Sequence, residues 1–105
     1  MAIYIDSAKP EEAKLALGTG WVYGITTNPA LLAKSGLAPL ETYQELAKLP
    51  ANEIYYQVSS DDIAEMKREL AIIKEVLGDK LVVKIPPTPS GFRFAAEISG
   101  EYKTC

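Results

Sequence analysis

The sequence predicts a parallel α/β fold. Short apolar runs alternate with stretches of helical periodicity along the whole chain. Each run carries a polar residue at or near its carboxyl end and is followed by a helical pattern. Strands alternating with helices imply right-handed crossovers and a parallel sheet. The 105 residues fit one domain, and a chain that is 48% apolar and 24% charged is ordinary for a globular protein.

The first run is Ala2–Asp6 (AIYID). Pro10 suits a first helical turn, Glu11 and Glu12 complement the helix dipole, and Gly18 stops that helix. The second run is Trp21–Thr26 (WVYGIT). It leads into Pro29, with Asn28 as N-cap, and predicts a short helix over Pro29–Lys34 that ends at Gly36. A further helix, about Leu40–Lys48, follows Pro39. The third run is Glu53–Val58 (EIYYQV). Ser59 or Ser60 is expected to cap a long helix with Asp61 and Asp62 in its first turn. Its stripe is Ile63, Met66, Leu70, Ile73 and Leu77, at three- and four-residue steps that mark a core face, and Gly78 ends it. The fourth run is Lys80–Pro86, and Ser90–Ile98 reads as a last helix. The order is β-α-β-α-α-β-α-β-α.

Composition narrows the chemistry. A net charge of −3 with scattered basic residues gives no electrostatic case for nucleic acid. No apolar run approaches a membrane span, and the N-terminus lacks a basic-then-apolar signal pattern, so the expected location is cytoplasmic. Cys105 is the one cysteine and there is no histidine. That rules out an intrachain disulfide, argues against Cys/His zinc, and removes the Ser-His and Cys-His nucleophile pairs. Catalysis would rest on Lys, Asp, Glu, Tyr or water, and no metal or other cofactor is expected.

Alternation sets residues two apart on one strand face. Tyr4 and Asp6 share a face, as do Gly24, Thr26 and Asn28, then Tyr55 and Gln57, then Val82 and Lys84. Asp6, Thr26 with Asn28, Gln57 and Lys84 therefore stand at the carboxyl ends of consecutive strands, where parallel α/β proteins bind ligands. Lys84 interrupts an apolar strand. A lysine in an apolar setting has its charged form disfavoured, and a neutral amine attacks carbonyls to form a Schiff base. Asp6 can exchange protons in that reaction, Asn28 can bond a substrate hydroxyl, and Gln57 can position water. Plainer roles exist for each. Asp6 can cap the next helix, Asn28 can serve only as an N-cap, Gln57 can be a solvated strand end, and Lys84 can snorkel to water. Four polar strand ends on one face favour a site.

The segments YIDSA (4–8), GITTNPALLAKSG (24–36), QVSS (57–60) and VVKIPPTPSGF (82–92) resemble the transaldolase family, and most closely its short branch, which includes the fructose-6-phosphate aldolases. The resemblance covers roughly residues 1–92, and the tail from 93 to 105 drifts from the pattern. It implies a TIM (β/α)₈ barrel, of which residues 1–105 supply a half-barrel of four βα units. It further implies that Lys84 is the Schiff-base lysine, that Asp6 assists proton transfer, and that Thr26 and Asn28 line the sugar site. Gln57 matches the glutamine that holds water in the aldolase branch, where transaldolases proper usually have glutamate. The implied substrates are sugars or sugar phosphates. The family's phosphate-binding arginine and serine, and the aldolase branch's catalytic tyrosine, belong to the half-barrel beyond these four units.

A four-stranded half-barrel carries its helices on one side and leaves Tyr4, Gly24, Tyr55 and Val82 on an open face. Such a face and its free edges favour association, so a homodimer or higher oligomer is expected, or else a rearranged sheet with a helix swung over the open face. Weak activity or none is expected of the chain alone. The competing readings are a non-catalytic oligomerising remnant of the family and a flavodoxin-like domain that binds phosphate or a partner. The last is disfavoured because no glycine-rich loop follows the first strand.

Overall fold

The computed structural model describes residues 3–27, 32, 38–58, 62–85, 87–98 and 100–104. Five parallel strands form one sheet in the order β1-β2-β3-β4-β5, with β1 at Tyr4–Asp6, β2 at Gly24–Thr26, β3 at Glu53–Gln57, β4 at Leu81–Lys84 and β5 at Lys103–Thr104. Each strand neighbours the next in sequence. That is the succession of a βα barrel and differs from a doubly wound sheet, whose order reverses at a switch point. The four expected strands are all present, each shorter than the apolar run that signalled it. The fifth was not expected. Its two residues lie beside β4, Lys103 opposite Val82 and Thr104 opposite Val83. A strand of two residues is too short to show a period.

The helices are α1 (Pro10–Leu17), α2 (Pro39–Ala47), α3 (Ile63–Leu77) and α4 (Pro89–Ile98). Pro opens α1, α2 and α4, where its missing N–H costs nothing. Of the short helix expected over Pro29–Lys34, only Leu32 is described; it is helical and packs against the core. The cap of α3 corrects the expectation of Ser59 or Ser60. Asp62 is the N-cap, and its carboxylate accepts from the Ala64 N–H at 3.2 Å; Ser59, Ser60 and Asp61 lie outside the described residues. Gly78 closes α3 at φ 59°, a conformation that favours glycine. Thr88 starts α4, its Oγ1 accepting from Gly91 N–H at 3.0 Å. Among the described residues no helix is long and apolar enough to cross a membrane.

The core lies on one side of the sheet. Ile25, Ile54, Tyr56, Val58, Leu81 and Val83 point into it, against Ala13 and Leu17 of α1, Tyr43 and Leu46 of α2, Met66, Leu70, Ile73 and Leu77 of α3, and Phe94 and Ile98 of α4. Because α4 packs into this same core, no rearranged sheet with α4 across the opposite face is present. Lys80 ties the layers together: its ammonium donates to the carbonyls of Ala47 and Leu49 at 3.1 and 2.7 Å, at the carboxyl end of α2.

The opposite face carries Tyr4, Asp6, Gly24, Thr26, Tyr55, Gln57, Val82 and Lys84, as alternation requires. Tyr4 crosses over Gly24 to donate to Glu53 Oε1 at 2.5 Å. A Cβ on Gly24 would stand 2.6 Å from the Glu53 carbonyl oxygen and 2.8 Å from the Tyr4 ring. The backbone oxygen cannot give way, so Gly24→Ala is expected to cost about 1–3 kcal/mol, as overpacking does. A lower urea midpoint with unchanged circular dichroism at zero urea would check this.

Candidate active site

The strand ends collect polar side chains at two levels. Asp6 and Thr26 are register partners on β1 and β2, and the Thr26 hydroxyl donates to Asp6 Oδ1 at 3.0 Å. Gln57 and Lys84 are register partners on β3 and β4. The β2–β3 register pairs Gly24 with Glu53 and Ile25 with Ile54, which sets Thr26 level with Tyr55, and Tyr55 pairs with Val82. Gln57 and Lys84 thus stand one pleat beyond Asp6 and Thr26, roughly 7 Å further along the strands. The site is a staircase from β1 to β4, the stagger that a closing barrel imposes.

Asp6 does not cap α1. The N-cap there is Lys9, with no capping side chain, and the nearby Ser7 Oγ accepts from Lys9 N–H. The carboxylate is exposed and instead bonded to Thr26, across strands. Gln57 is half-buried. Lys84 corrects the sequence reading in one respect. Leu81, Val82 and Val83 are buried, but Lys84 itself is exposed at the strand end. The apolar setting lies beneath it and not around it. Asn28 lies outside the described residues.

Two features of the site were missed by reading the sequence. One is Thr27, which is 1% exposed. Thr26 faces the open side and Thr27 the core, where its hydroxyl meets the Tyr43 hydroxyl at 2.7 Å and donates to the Tyr55 carbonyl at 2.8 Å. That bond fastens the end of β2 to β3 and α2 just before position 28. Alternation could have assigned Thr27 to the core face; its two partners come from elements far away in sequence. The other is the tyrosine system below the site. The Tyr4 ring meets Tyr55 and Tyr23 edge-on at centroid distances of 5.5 and 5.9 Å.

Several phenols here are hard to ionise. Burial pushes Tyr43 up to about 12. Burial, then the hydrogen bond to Glu69, raises Tyr56. The hydrogen bond to Glu53 raises Tyr4.

The fold and these strand ends define a class: successive units of a parallel βα barrel with polar side chains gathered at the carboxyl ends of the strands. The model of the transaldolase/fructose-6-phosphate aldolase family matches residues 3–105, including the segment after Phe92. The chain belongs to that family. It is 36% identical over 103 residues to a protein of Dehalococcoides mccartyi named probable transaldolase, covering 96% of this chain and 47% of that protein. Probable transaldolases of Aquifex aeolicus and an Anaeromyxobacter species are 36% and 37% identical over 101 residues, each covering 96% of this chain and 46% of the relative. The chain spans about half the length of the curated relatives it matches.

Two outcomes are expected. Thr27→Val leaves the Tyr43 hydroxyl without its partner and should cost about 1–3 kcal/mol. Thr27→Ser keeps the hydroxyl and should retain most of it; urea titration of the pair measures the difference. Alkali should also destabilise the fold. A phenol raised to about 12, as Tyr43 is, keeps its proton in the folded chain after the unfolded chain has lost it. Stability is then full below an unfolded phenol value of about 10 and falls as pH rises from there. Urea midpoints from about pH 9 to about 12 should decline, and Tyr43→Phe should flatten part of the decline.

Proposed function

We propose that this chain carries the Schiff-base side of an aldolase or transaldolase site for sugar phosphates, with Lys84 as the nucleophile. The observation that carries this reading is the convergence of Asp6, Thr26, Gln57 and Lys84 at consecutive strand ends, within a chain of this family.

The chemistry follows from the residue types. The unprotonated Lys84 amine attacks a ketone carbonyl carbon, and the oxygen takes a proton to give a carbinolamine. Asp6, oriented by Thr26, supplies the proton with which water leaves, and an iminium ion remains. The iminium accepts the electron pair of the adjacent carbon–carbon bond while the hydroxyl on the departing carbon gives its proton to the Asp6 carboxylate, and an aldehyde leaves. The resulting enamine is either protonated and hydrolysed, which is aldol cleavage, or adds to a second aldehyde, which is transfer of the dihydroxyacetone unit. Gln57 cannot titrate. Its amide is suited to holding the water of the hydrolytic branch, which favours the aldolase outcome. Thr26 and Asn28 serve the substrate hydroxyls.

Borohydride trapping tests this directly. The protein is incubated with dihydroxyacetone or fructose 6-phosphate, reduced, and its intact mass read. An adduct that maps to Lys84 and vanishes in Lys84→Met is expected. Asp6→Asn should lower the trapping rate by about 10²-fold, the scale of general acid–base catalysis, with the fold intact. A folded protein that gives no adduct would leave the non-catalytic remnant reading in its place.

A further inference from the structure

Asp6 is exposed and takes its orientation from the Thr26 hydroxyl at 3.0 Å. That hydroxyl has a single proton and a second acceptor in reach, the Ile5 carbonyl at 3.5 Å. Which acceptor holds the proton depends on the Thr26 rotamer, and so on how firmly the end of β2 is fixed. On one side the backbone fixes it: the register with β1 continues to Asp6 and Thr26, and Ser7 N–H donates to the Thr26 carbonyl at 3.1 Å. On the other side the register with β3 stops at Ile25 and Ile54. There the Thr27 side chain takes over, reaching the Tyr55 carbonyl at 2.8 Å. Its own single proton is committed to that carbonyl, so the Tyr43 hydroxyl is the donor in their 2.7 Å contact. Tyr43 is in turn set edge-on against Tyr56, with ring centroids 5.4 Å apart. Thr27 is 1% exposed and Tyr43 0%, so water does not stand in for a lost partner.

The geometry points to Thr27 as a positioning residue for Asp6. Thr27 faces the core and touches no substrate. It fixes the end of β2 so that Thr26 gives its proton to the Asp6 carboxylate and not to the Ile5 carbonyl, and the carboxylate is kept in one orientation for proton exchange. Adjacent threonines suit this division. Both are β-branched and stiff about the first side-chain bond, and alternation sends their hydroxyls to opposite faces. A movement of the Thr27 hydroxyl therefore reaches Thr26 through one peptide unit. The catalytic consequence rests on the Schiff-base reading, but the hold on Thr26 does not. A hydroxyl that served the core alone would make the same two bonds, and its loss would be felt in stability without being felt at Asp6.

The experiment has two readouts on the same variants. The first is the Thr26 rotamer, read by NMR from the couplings of its Cγ2 to the backbone nitrogen and carbonyl carbon, with no substrate present. The native chain and Thr27→Ser should show one rotamer, and Thr27→Val an average of several. Ile73→Val, a core change on α3, should leave Thr26 fixed while lowering the urea midpoint. The second readout is the rate of borohydride trapping at Lys84 with dihydroxyacetone. Thr27→Val should lower it by about tenfold, as misplacement of a reacting group does, and Thr27→Ser should restore it. Because Thr27 acts through Asp6, Thr27→Val should lower the rate no further once Asp6→Asn is in place. A single Thr26 rotamer in folded Thr27→Val overturns the proposal. So do rate losses that multiply in the double variant. Averaging in Thr27→Ser also overturns it, because packing of the methyl and not the hydroxyl would then hold the strand; that arm decides the matter even where Thr27→Val does not fold. A native chain that gives no adduct counts against the Schiff-base reading, and the couplings still decide whether Thr27 holds Thr26.

Discussion

Everything in this chain depends on the right-handed return between parallel strands. A parallel strand cannot be followed by a tight turn, so the chain must travel back over the sheet before the next strand begins. Repeating that crossover in one direction puts α1 to α4 on one face. It also brings every strand out at the same end. The core and the candidate site are thus two consequences of one constraint: the helices select which side is apolar, and the crossovers gather Asp6, Thr26, Gln57 and Lys84 at one end of the sheet.

Alternation along each strand then divides the labour residue by residue. The Thr26–Thr27 pair is the clearest case. Thr26 turns to the open face and holds Asp6, while Thr27 turns to the core and holds Tyr43 and the Tyr55 carbonyl. A buried hydroxyl with two partners is costly to disturb. The rigidity of the core face is therefore passed to the open face across a single peptide bond.

The architecture was legible because its signals are local and strong. The stripe from Ile63 to Leu77, the prolines at helix starts and Gly78 at a helix end each reflect a force acting within a turn or two. The partition of Asp6, Thr26, Gln57 and Lys84 to one face followed from period two alone. What was not legible depends on distance. The cap of α3 falls on Asp62 and not on the serines because several adjacent residues can all accept an N–H, and packing chooses among them. The two levels of the site come from the register between strands, which no single strand encodes. The exposure of Lys84 depends on what stands opposite it, and strand β5 is too short to announce itself.

The open face has one further property that bears on what covers it. Burying a carboxylate is expensive when its oxygens lose water and gain nothing. Glu53 and Asp6 both lie on this side of the sheet, yet each already accepts a hydrogen bond from a neighbouring strand, from Tyr4 and Thr26 respectively. The donors are held in place before anything covers the face: Tyr4 by its edge-on contacts with Tyr23 and Tyr55, and Thr26 by the anchored Thr27 beside it. A face meant only for water has no need of such arrangements, since water satisfies a carboxylate without help. Polar groups partnered in advance lower the cost of desolvation whenever a second layer arrives. The open face is in that sense an interior without its other wall, and its acids are already arranged for a drier setting than the single chain provides.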